Sequence, residues 1–181
     1  MSAINEVTTE KLKLFQDFCL YFPKYKDSIL KCFMFIFAIA QPKFGILYFY
    51  RKHKICKLLN RKYSFIYYLM NHYFNNSEIN NEACLGVGVN IPHPIGVVIG
   101  GDSVIGEGSV VMSNVTLGAN SAKKGDYYYP KLGTNCYIGS NTTLIGDIEL
   151  GDNVTIGANS FVNKSFPNNS VIAGVPAIRI K

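Results

Sequence analysis

The segment Leu132–Val162, with the sequence LGTNCYIGSNTTLIGDIELGDNVTIGANSFV, decides the fold because an aliphatic residue returns at every sixth position. Six is neither the period of a helix, about 3.6 residues, nor the two-residue alternation of a half-buried strand. A period of six with one deeply buried residue fits short strands joined by tight corners, with three strands in each coil. Each buried aliphatic residue then stacks on its equivalents in neighbouring coils, whose backbones pair at about 4.8 Å. The segment therefore predicts a parallel β-helix.

The same repeat continues towards the N-terminus in two further registers. All thirteen positions hold Ile, Leu or Val: Ile79, Leu85, Ile91, Ile99, Ile105, Val111, Leu117, Leu132, Ile138, Leu144, Leu150, Ile156 and Val162. Glycine often follows the aliphatic residue and relieves the crowding at a corner. We therefore assign residues 78–181 to one β-helix domain.

Residues 1–77 differ in composition, because they are rich in Phe, Tyr, Leu and Lys and contain a single glycine, Gly45. Apolar residues at helical spacing, such as Leu12, Phe15 and Cys19, predict two to four helices, broken near Pro23 and Pro42. The most apolar run, residues 29–40, is shorter than the roughly 20 residues that span a bilayer, so we expect a buried or interfacial helix there. The predicted fold class is mainly β, a parallel β-helix preceded by a small α-helical region at residues 1–77.

The net charge of +6 is concentrated in this first region, which has twelve Lys and Arg residues against four Asp and Glu, whereas residues 78–181 have six against eight. The cluster Arg51–Lys62, RKHKICKLLNRK, indicates a solvated helix face, with contact to anionic lipid or an acidic glycan as the alternative. No nucleic-acid partner is expected, because the second region has no basic stripe.

The five cysteines stand at wide, irregular spacings without a CxxC pair. This pattern favours reduced thiols over a disulfide framework or a zinc cluster, and we expect no metal cofactor. The first residues, MSAINEVTTEKLKLF, are polar and mixed in charge, unlike a secretory signal. We therefore expect a cytoplasmic protein, with peripheral contact at the inner face of the membrane as an option.

Several segments carry a resemblance to a known family: EINNEACLGVGVNIPHPIGVVIG from Glu78, VTLGAN from Val115, the repeat from Tyr129 onwards, and IAGVPA from Ile172. They resemble the hexapeptide-repeat acyltransferases, above all the serine O-acetyltransferases and the related polysaccharide O-acetyltransferases. The resemblance implies a left-handed coil, an exception to the usual handedness of parallel crossovers. It also implies acetyl-CoA as co-substrate, O-acetyltransferase activity, and a homotrimer, or a dimer of trimers, with sites shared between subunits.

The repeat is interrupted at two places. The step from Ile91 to Ile99 is eight residues long and swells one corner, whereas the step from Leu117 to Leu132 is fifteen residues long and predicts a protruding loop. Insertions in a solenoid form surface loops, often on the binding face. We expect a substrate to enter at these two breaks.

His93 lies on the first break between two prolines and is the candidate general base; a structural histidine at a corner is the alternative. By resemblance, it takes the proton from an acceptor hydroxyl as this hydroxyl attacks the thioester of acetyl-CoA. The family holds such a histidine with an Asp fifteen residues upstream, where this chain has Glu78. Glu78 is also expected about one coil below Gly96–Val98, at the same corner as His93. A solvated carboxylate is the alternative for Glu78.

The resemblance places the acetyl-CoA groove along the coils. Backbone amides at Ala119, Ser140 and Ala158 are implied to bind the pantetheine arm, although corner sterics alone also explain small side chains there. Cations at the C-terminal end of the β-helix are implied to bind the distal phosphates of CoA: Lys164, Arg179 and Lys181.

The acceptor side departs from the serine acetyltransferases. Pro92 stands where they have an Asp before the catalytic His, and Tyr128 and Tyr129 stand where they have an Arg-His pair in the loop. Tyr127, Tyr128 and Tyr129 suit a sugar through their rings and hydroxyls, or else merely pack the loop. We therefore predict acetylation of a sugar hydroxyl in capsule, exopolysaccharide or O-antigen synthesis. Serine acetylation in cysteine biosynthesis is the alternative, and a non-catalytic trimeric scaffold is a further one.

Overall fold

A computed structural model describes residues 2–23, 39–123 and 126–181 of the chain. Most of the apolar run at residues 29–40 therefore lies outside the described residues. The described part of the N-terminal region contains three helices: α1 (Ser2–Tyr21), α2 (Pro42–Leu58) and α3 (Ser64–Asn75). Helix α2 begins at Pro42, where the missing N–H costs no intrahelical hydrogen bond. No helix in these ranges is long and apolar enough to cross a membrane.

Short parallel strands follow the helices and form the three faces of a prism. Face A contains β1 (Glu78–Ile79), β3 (Val98–Ile99), β6 (Thr116–Gly118), β11 (Thr143–Ile145) and β14 (Phe161–Val162). Face B contains β2 (Cys84–Leu85), β4 (Val104–Ile105), β9 (Lys131–Leu132) and β12 (Glu149–Leu150). Face C contains β5 (Val110–Val111), β10 (Tyr137–Ile138), β13 (Thr155–Ile156), β15 (Val171–Gly174) and the antiparallel β16 (Ala177–Arg179). The hairpin β7 (Asn120–Lys123) and β8 (Asp126–Tyr128) leaves the prism between faces A and B of the third coil.

The strand register confirms the predicted β-helix. Leu117 is aligned with Ile99 in the coil before and with Leu144 in the coil after. All thirteen aliphatic positions of the repeat point inward, and none is more than 3% exposed. The period of six therefore marks the residues that build the core.

Two of the three corners are built around left-handed residues. At the edge between faces C and A, called the C–A edge, positive φ angles occur at Gly96, Asn114, Asn141 and Asn159, which stack in successive coils. Amide side chains link this column, because Asn114 donates to Asn141 and Asn141 donates to Asn159, each at 3.0 Å. Asparagine tolerates this conformation better than other residues with a side chain. The glycines after the aliphatics serve another purpose: a Cβ on Gly139 would lie only 2.6 Å from the amide nitrogen of Ala158.

The helical region covers the first coil, and its apolar residues share the core of the β-helix. Ile46, Leu47 and Tyr50 of α2 belong to the same buried cluster as the repeat. The Tyr50 hydroxyl donates to the carbonyl of Ala83 at 2.6 Å. Helix α2 thus closes one end of the prism.

The apolar stripe predicted on α1 is not its buried face. Leu12 and Phe15 are 56% and 45% exposed. The buried face instead combines apolar residues with two carboxylates: Val7, Glu10, Leu14, Asp17 and Phe18. The helix was predicted correctly, but its orientation is set by charge pairing that hydropathy does not record.

That pairing is made with Arg51, a member of the basic cluster for which a solvated face was predicted. Its side chain is fully buried and donates from Nε to Asp17 at 2.6 Å and from Nη1 to Glu10 at 3.1 Å. Its Nη2 also donates to the carbonyl of Gly86 in the first coil. Burial lowers the pKa of Arg51, but the two carboxylates more than offset this effect, so the pKa is raised. Arg51 is therefore a structural contact between α1, α2 and the β-helix.

Candidate active site

The segment that carries His93 is fixed at both ends while its histidine stays exposed. On one side, Asn90 forms an isolated bridge with Val110 of the next coil. On the other side, the Ser77 hydroxyl donates to the carbonyl of Pro94, and the amide of Gly96 donates to the carbonyl of Asn76 at 2.9 Å. The swelling of the repeat is thus a fixed feature of the C–A edge rather than a loose loop.

A cavity of about 290 Å³ lies beside His93. Its walls come from both regions of the chain: Pro42, Phe74, Asn75, Asn76, Pro92, His93, Pro94 and Ile95. A larger groove of about 860 Å³ lies on the other side of Pro92, against α1 and the corners between faces B and C. The imidazole therefore borders a space large enough for a small polar molecule.

Glu78 begins β1 and is aligned with Val98 of the next coil, five residues after His93. This is the register expected from the repeat. Its side chain is exposed, and among the described residues it forms no hydrogen bond or ion pair with His93. The structure thus places the carboxylate one coil below the swelling without joining it to the imidazole.

Ser140 and Ala158 stack along the C–A edge, in coils that follow the swelling that holds His93. The amide of Asn159 donates to the carbonyl of Ser140 at 2.9 Å, and the Ser140 hydroxyl accepts from Ser113 at 3.3 Å. The N–H groups of Ser140 and Ala158 themselves have no protein acceptor within the described ranges. Two neighbouring coils therefore present backbone donors along one edge.

The other predicted contacts of CoA are dispersed. Ala119 lies at the far end of β6, where the hairpin leaves the prism, and so is not on the C–A edge. Lys164 is exposed just after β14, whereas Arg179 and Lys181 lie at the end of β16, where Arg179 Nε donates to the carbonyl of Lys181. The structure stacks Ser140 on Ala158, whereas Ala119, Lys164 and the Arg179–Lys181 pair lie on other elements.

The three loop tyrosines have different environments. Tyr127 and Tyr128 are 56% and 53% exposed. The ring of Tyr129 instead packs over Gly100 and Gly101, because a Cβ on either glycine would be within 3.3 Å of it. Tyr129 thus anchors the loop on the second coil and leaves two phenol rings on the surface.

The sequence did not indicate Tyr21, which ties α1 to the segment of His93. Its hydroxyl donates to Asn90 Oδ1 at 2.9 Å, and it also contacts the carbonyl of Val89 at 3.2 Å. Burial is the main cause of the raised pKa of Tyr21, so the phenol stays protonated. These partners are separated by 68 and 69 residues, and no local pattern connects them.

In the described residues, no three His, Cys, Asp or Glu side chains lie close enough to hold a metal ion.

A model of the family "Bacterial transferase hexapeptide (six repeats)" matches residues 129–164. Curated relatives include serine acetyltransferase 2 of Arabidopsis thaliana, which is 38% identical over 104 residues, covering 58% of this chain and 32% of the relative. The serine acetyltransferase of Staphylococcus epidermidis is 34% identical over 131 residues, covering 71% of this chain and 60% of the relative. The chain thus spans less than two thirds of the length of these relatives.

Solved structures of serine acetyltransferases share the fold. The Neisseria gonorrhoeae serine acetyltransferase in complex with serine has a TM-score of 0.77 at 26% identity, covering 99% of this chain and 72% of that chain. The soybean serine acetyltransferase complexed with serine has a TM-score of 0.67 at 28% identity, covering 74% and 56%. The match to the first of these includes the helical region as well as the coils.

Proposed function

Because the chain is a left-handed β-helix protein of the hexapeptide-repeat family and is related to the serine acetyltransferases, we propose that it is an acetyl-CoA-dependent O-acetyltransferase. The observation that carries this proposal is the exposed His93 at the swollen corner of the C–A edge, along which Ser140 and Ala158 of later coils offer unpaired backbone N–H groups. A base and a row of donors along one edge suit a reaction between a hydroxyl and an extended thioester.

In this mechanism, acetyl-CoA supplies a thioester whose carbonyl carbon is attacked by the acceptor hydroxyl. His93 removes the proton of that hydroxyl during the attack. The tetrahedral intermediate then collapses with cleavage of the C–S bond, and CoA leaves as a thiol by taking that proton from His93. The amides of Ser140 and Ala158 hold the amide-rich pantetheine arm along the C–A edge. Lys164, Arg179 and Lys181 provide positive charge at the fifth coil for phosphate groups. Glu78 orients the imidazole after a change of side-chain rotamer, since its backbone already lies in the adjoining coil.

The candidate acceptors are serine and a sugar hydroxyl. The relatives are serine acetyltransferases, and they favour serine, the alternative acceptor, over the sugar hydroxyl placed first from the sequence. A sugar hydroxyl in polysaccharide synthesis is the second candidate. Two features support it: Pro92 stands in place of an acidic residue, and the rings of Tyr127 and Tyr128 are exposed. None of these side chains carries a charge that could pair with the ammonium or carboxylate group of serine.

The first experiment tests the base. Replacement His93→Ala should lower kcat/KM for acetyl transfer by about 10²–10⁴-fold, as expected for the loss of a general base. Its matched control is His72→Ala, which removes an exposed histidine of α3 and should leave the rate unchanged. An unaltered rate in the His93 variant would contradict the mechanism.

A second experiment identifies the acceptor. Purified protein is incubated with acetyl-CoA and either L-serine or a panel of neutral and acidic oligosaccharides, and the acetylated product is detected by mass spectrometry. Product from L-serine alone establishes the serine acetyltransferase, whereas product from oligosaccharides alone establishes the sugar enzyme. If neither acceptor is acetylated and acetyl-CoA does not bind, the chain is a non-catalytic scaffold.

We further propose a cytoplasmic homotrimer in which the hairpin β7–β8 of one subunit reaches the His93 corner of its neighbour. Support comes from the hairpin itself, because it projects from the prism with two exposed tyrosines at its base. Sedimentation equilibrium of the purified chain measures the subunit number directly. Mixing His93→Ala subunits with subunits that lack the hairpin should restore activity if the site is shared.

A further inference from the structure

Helix α3 presents its apolar side chains to solvent and its amide side chains to the interior. Phe65, Ile66, Tyr73 and Phe74 are between 53% and 74% exposed. Asn71 and Asn75 are instead buried, at 3% and 6% exposed. An amphipathic helix on a protein surface normally has the opposite orientation.

The buried asparagines explain why the helix keeps this orientation. Asn71 donates to the carbonyl of Ile46 in α2 at 3.1 Å, and Asn75 donates to Asn71 at 2.9 Å. These hydrogen bonds hold the polar side of α3 against α2. The exposed apolar side, which we call the α3 face, is therefore a fixed property of the fold.

A basic cavity lies at the start of the α3 face. It has a volume of about 360 Å³, and its walls include His53, Lys57, Arg61, Lys62 and Phe65. The sequence between residues 28 and 77 contains no Asp or Glu, and within the described residues Lys57, Arg61 and Lys62 have no acidic partner. The Nδ1 atom of His53 is buried and has no hydrogen-bond partner in the same ranges.

An apolar helix face with positive charge at its end matches the surface of a bilayer that contains anionic lipid. We propose that the α3 face and its basic cavity bind an anionic membrane surface. In this arrangement the rings of Phe65 and Tyr73 enter the headgroup region, while Arg61 and Lys62 contact lipid phosphates.

Charge also argues against a second copy related by a two-fold axis as the occupant. Two copies related by a two-fold axis through this face would bring the cavities of Arg61 and Lys62 close together. Like charges at such an interface oppose association unless an anion lies between them. An anionic bilayer supplies the missing negative charge without a further protein.

The experiment uses the full-length protein and co-sedimentation with phosphatidylcholine vesicles, with or without about 30% phosphatidylglycerol. The wild-type protein should bind only the anionic vesicles, and raising the salt to about 1 M should weaken this binding strongly. Arg61→Gln/Lys62→Gln should lower the partition coefficient about 25-fold, since each cation near the surface contributes about fivefold. The matched control, Lys11→Gln/Lys131→Gln, removes the same charge from exposed lysines outside the cavity and should change the partition coefficient by less than about twofold.

A second variant tests the apolar part of the face. Phe65→Ser/Ile66→Ser should weaken binding at low and high salt alike, because it removes apolar contact rather than charge. Equal binding by the wild-type protein, Arg61→Gln/Lys62→Gln and Phe65→Ser/Ile66→Ser would overturn the proposal, as would an absence of binding to anionic vesicles. If the serine variant instead lowers the oligomeric mass in sedimentation equilibrium and no vesicle binds, the occupant is a second copy. Vesicle binding needs no acetyl transfer, so its failure and that of the proposed function are separate results.

Discussion

The coils and the helical region are stabilised in different ways, although they share one core. In the coils, each residue contacts its equivalents in the next coil, so Leu117 lies between Ile99 and Leu144 and the pattern repeats. In the helical region, single contacts join distant parts of the chain, as Arg51 joins Asp17 across 34 residues. Stability in the first case is spread over many similar positions, and in the second it depends on a few.

This difference determines what a substitution should do. A change in a coil removes one of many stacked contacts and leaves its neighbours in place. A change in the charge cluster leaves a buried ion without its partner.

Replacement of Arg51 by Met should lower the free energy of unfolding by about 3–5 kcal/mol, because Asp17 stays buried without a counterion and Glu10 keeps only the partly exposed Lys13. Urea denaturation measures the loss. The neighbouring cation provides a control, since Lys52→Met should change stability by less than about 0.5 kcal/mol. Adding Asp17→Leu and Glu10→Gln to Arg51→Met should recover much of the loss. A triple variant that is less stable than Arg51→Met would show that the unpaired buried charges are not the cause.

Replacement of Leu117 by Ala should cost about 2–5 kcal/mol of unfolding free energy, through lost burial and a cavity in the third coil. Val98→Ala, at a half-exposed position on the same face, should cost far less. Hydrogen exchange of the amides should show faster opening in the third coil and its neighbours, with the helical region little affected. Uniformly faster exchange along the whole chain would show that the two regions unfold as one unit.

Replacement of Asn141 by Ala should cost about 1–2 kcal/mol, because alanine is strained at the φ of 59° found there. Asn141→Gly should cost less than the alanine variant, since glycine adopts this conformation freely. Asn163→Ala serves as a matched control on an exposed asparagine outside the columns of positive φ. If all three variants have the same melting temperature, the left-handed column contributes nothing to stability.

The coils were the predictable half of the molecule for a physical reason. Every coil buries a side chain at the same places. An aliphatic residue is therefore needed at thirteen positions, and this recurrence is too regular to arise by chance. The asparagine columns also recur in the sequence, as in SNT and ANS, but asparagine is common in many turns and its left-handed φ becomes visible only in the structure. The exposed position of His93 at a swollen corner follows from the same period.

The helical half was only partly predictable. Helices were expected and found, yet the buried face of α1 contains Glu10 and Asp17, which hydropathy assigns to solvent. Their burial depends on Arg51, whose partners are 34 and 41 residues away. Two further contacts join residues that are distant in the sequence: Tyr21 donates to Asn90, and Phe74 lines the cavity beside His93. No local sequence pattern predicts either contact.

Strand β16 affects whether the coils of another molecule can be added to the C-terminal end of the β-helix. A stack of parallel coils ends in unpaired backbone groups, and such an edge can recruit another chain and grow into a fibre. At the first coil the helices cover this edge, and at the fifth coil β16 turns back and pairs with β15 in the antiparallel direction. A coil of another molecule that approached face C would therefore meet a strand running the wrong way for a parallel repeat. The reversal of a single strand thus blocks the parallel addition of another coil at face C.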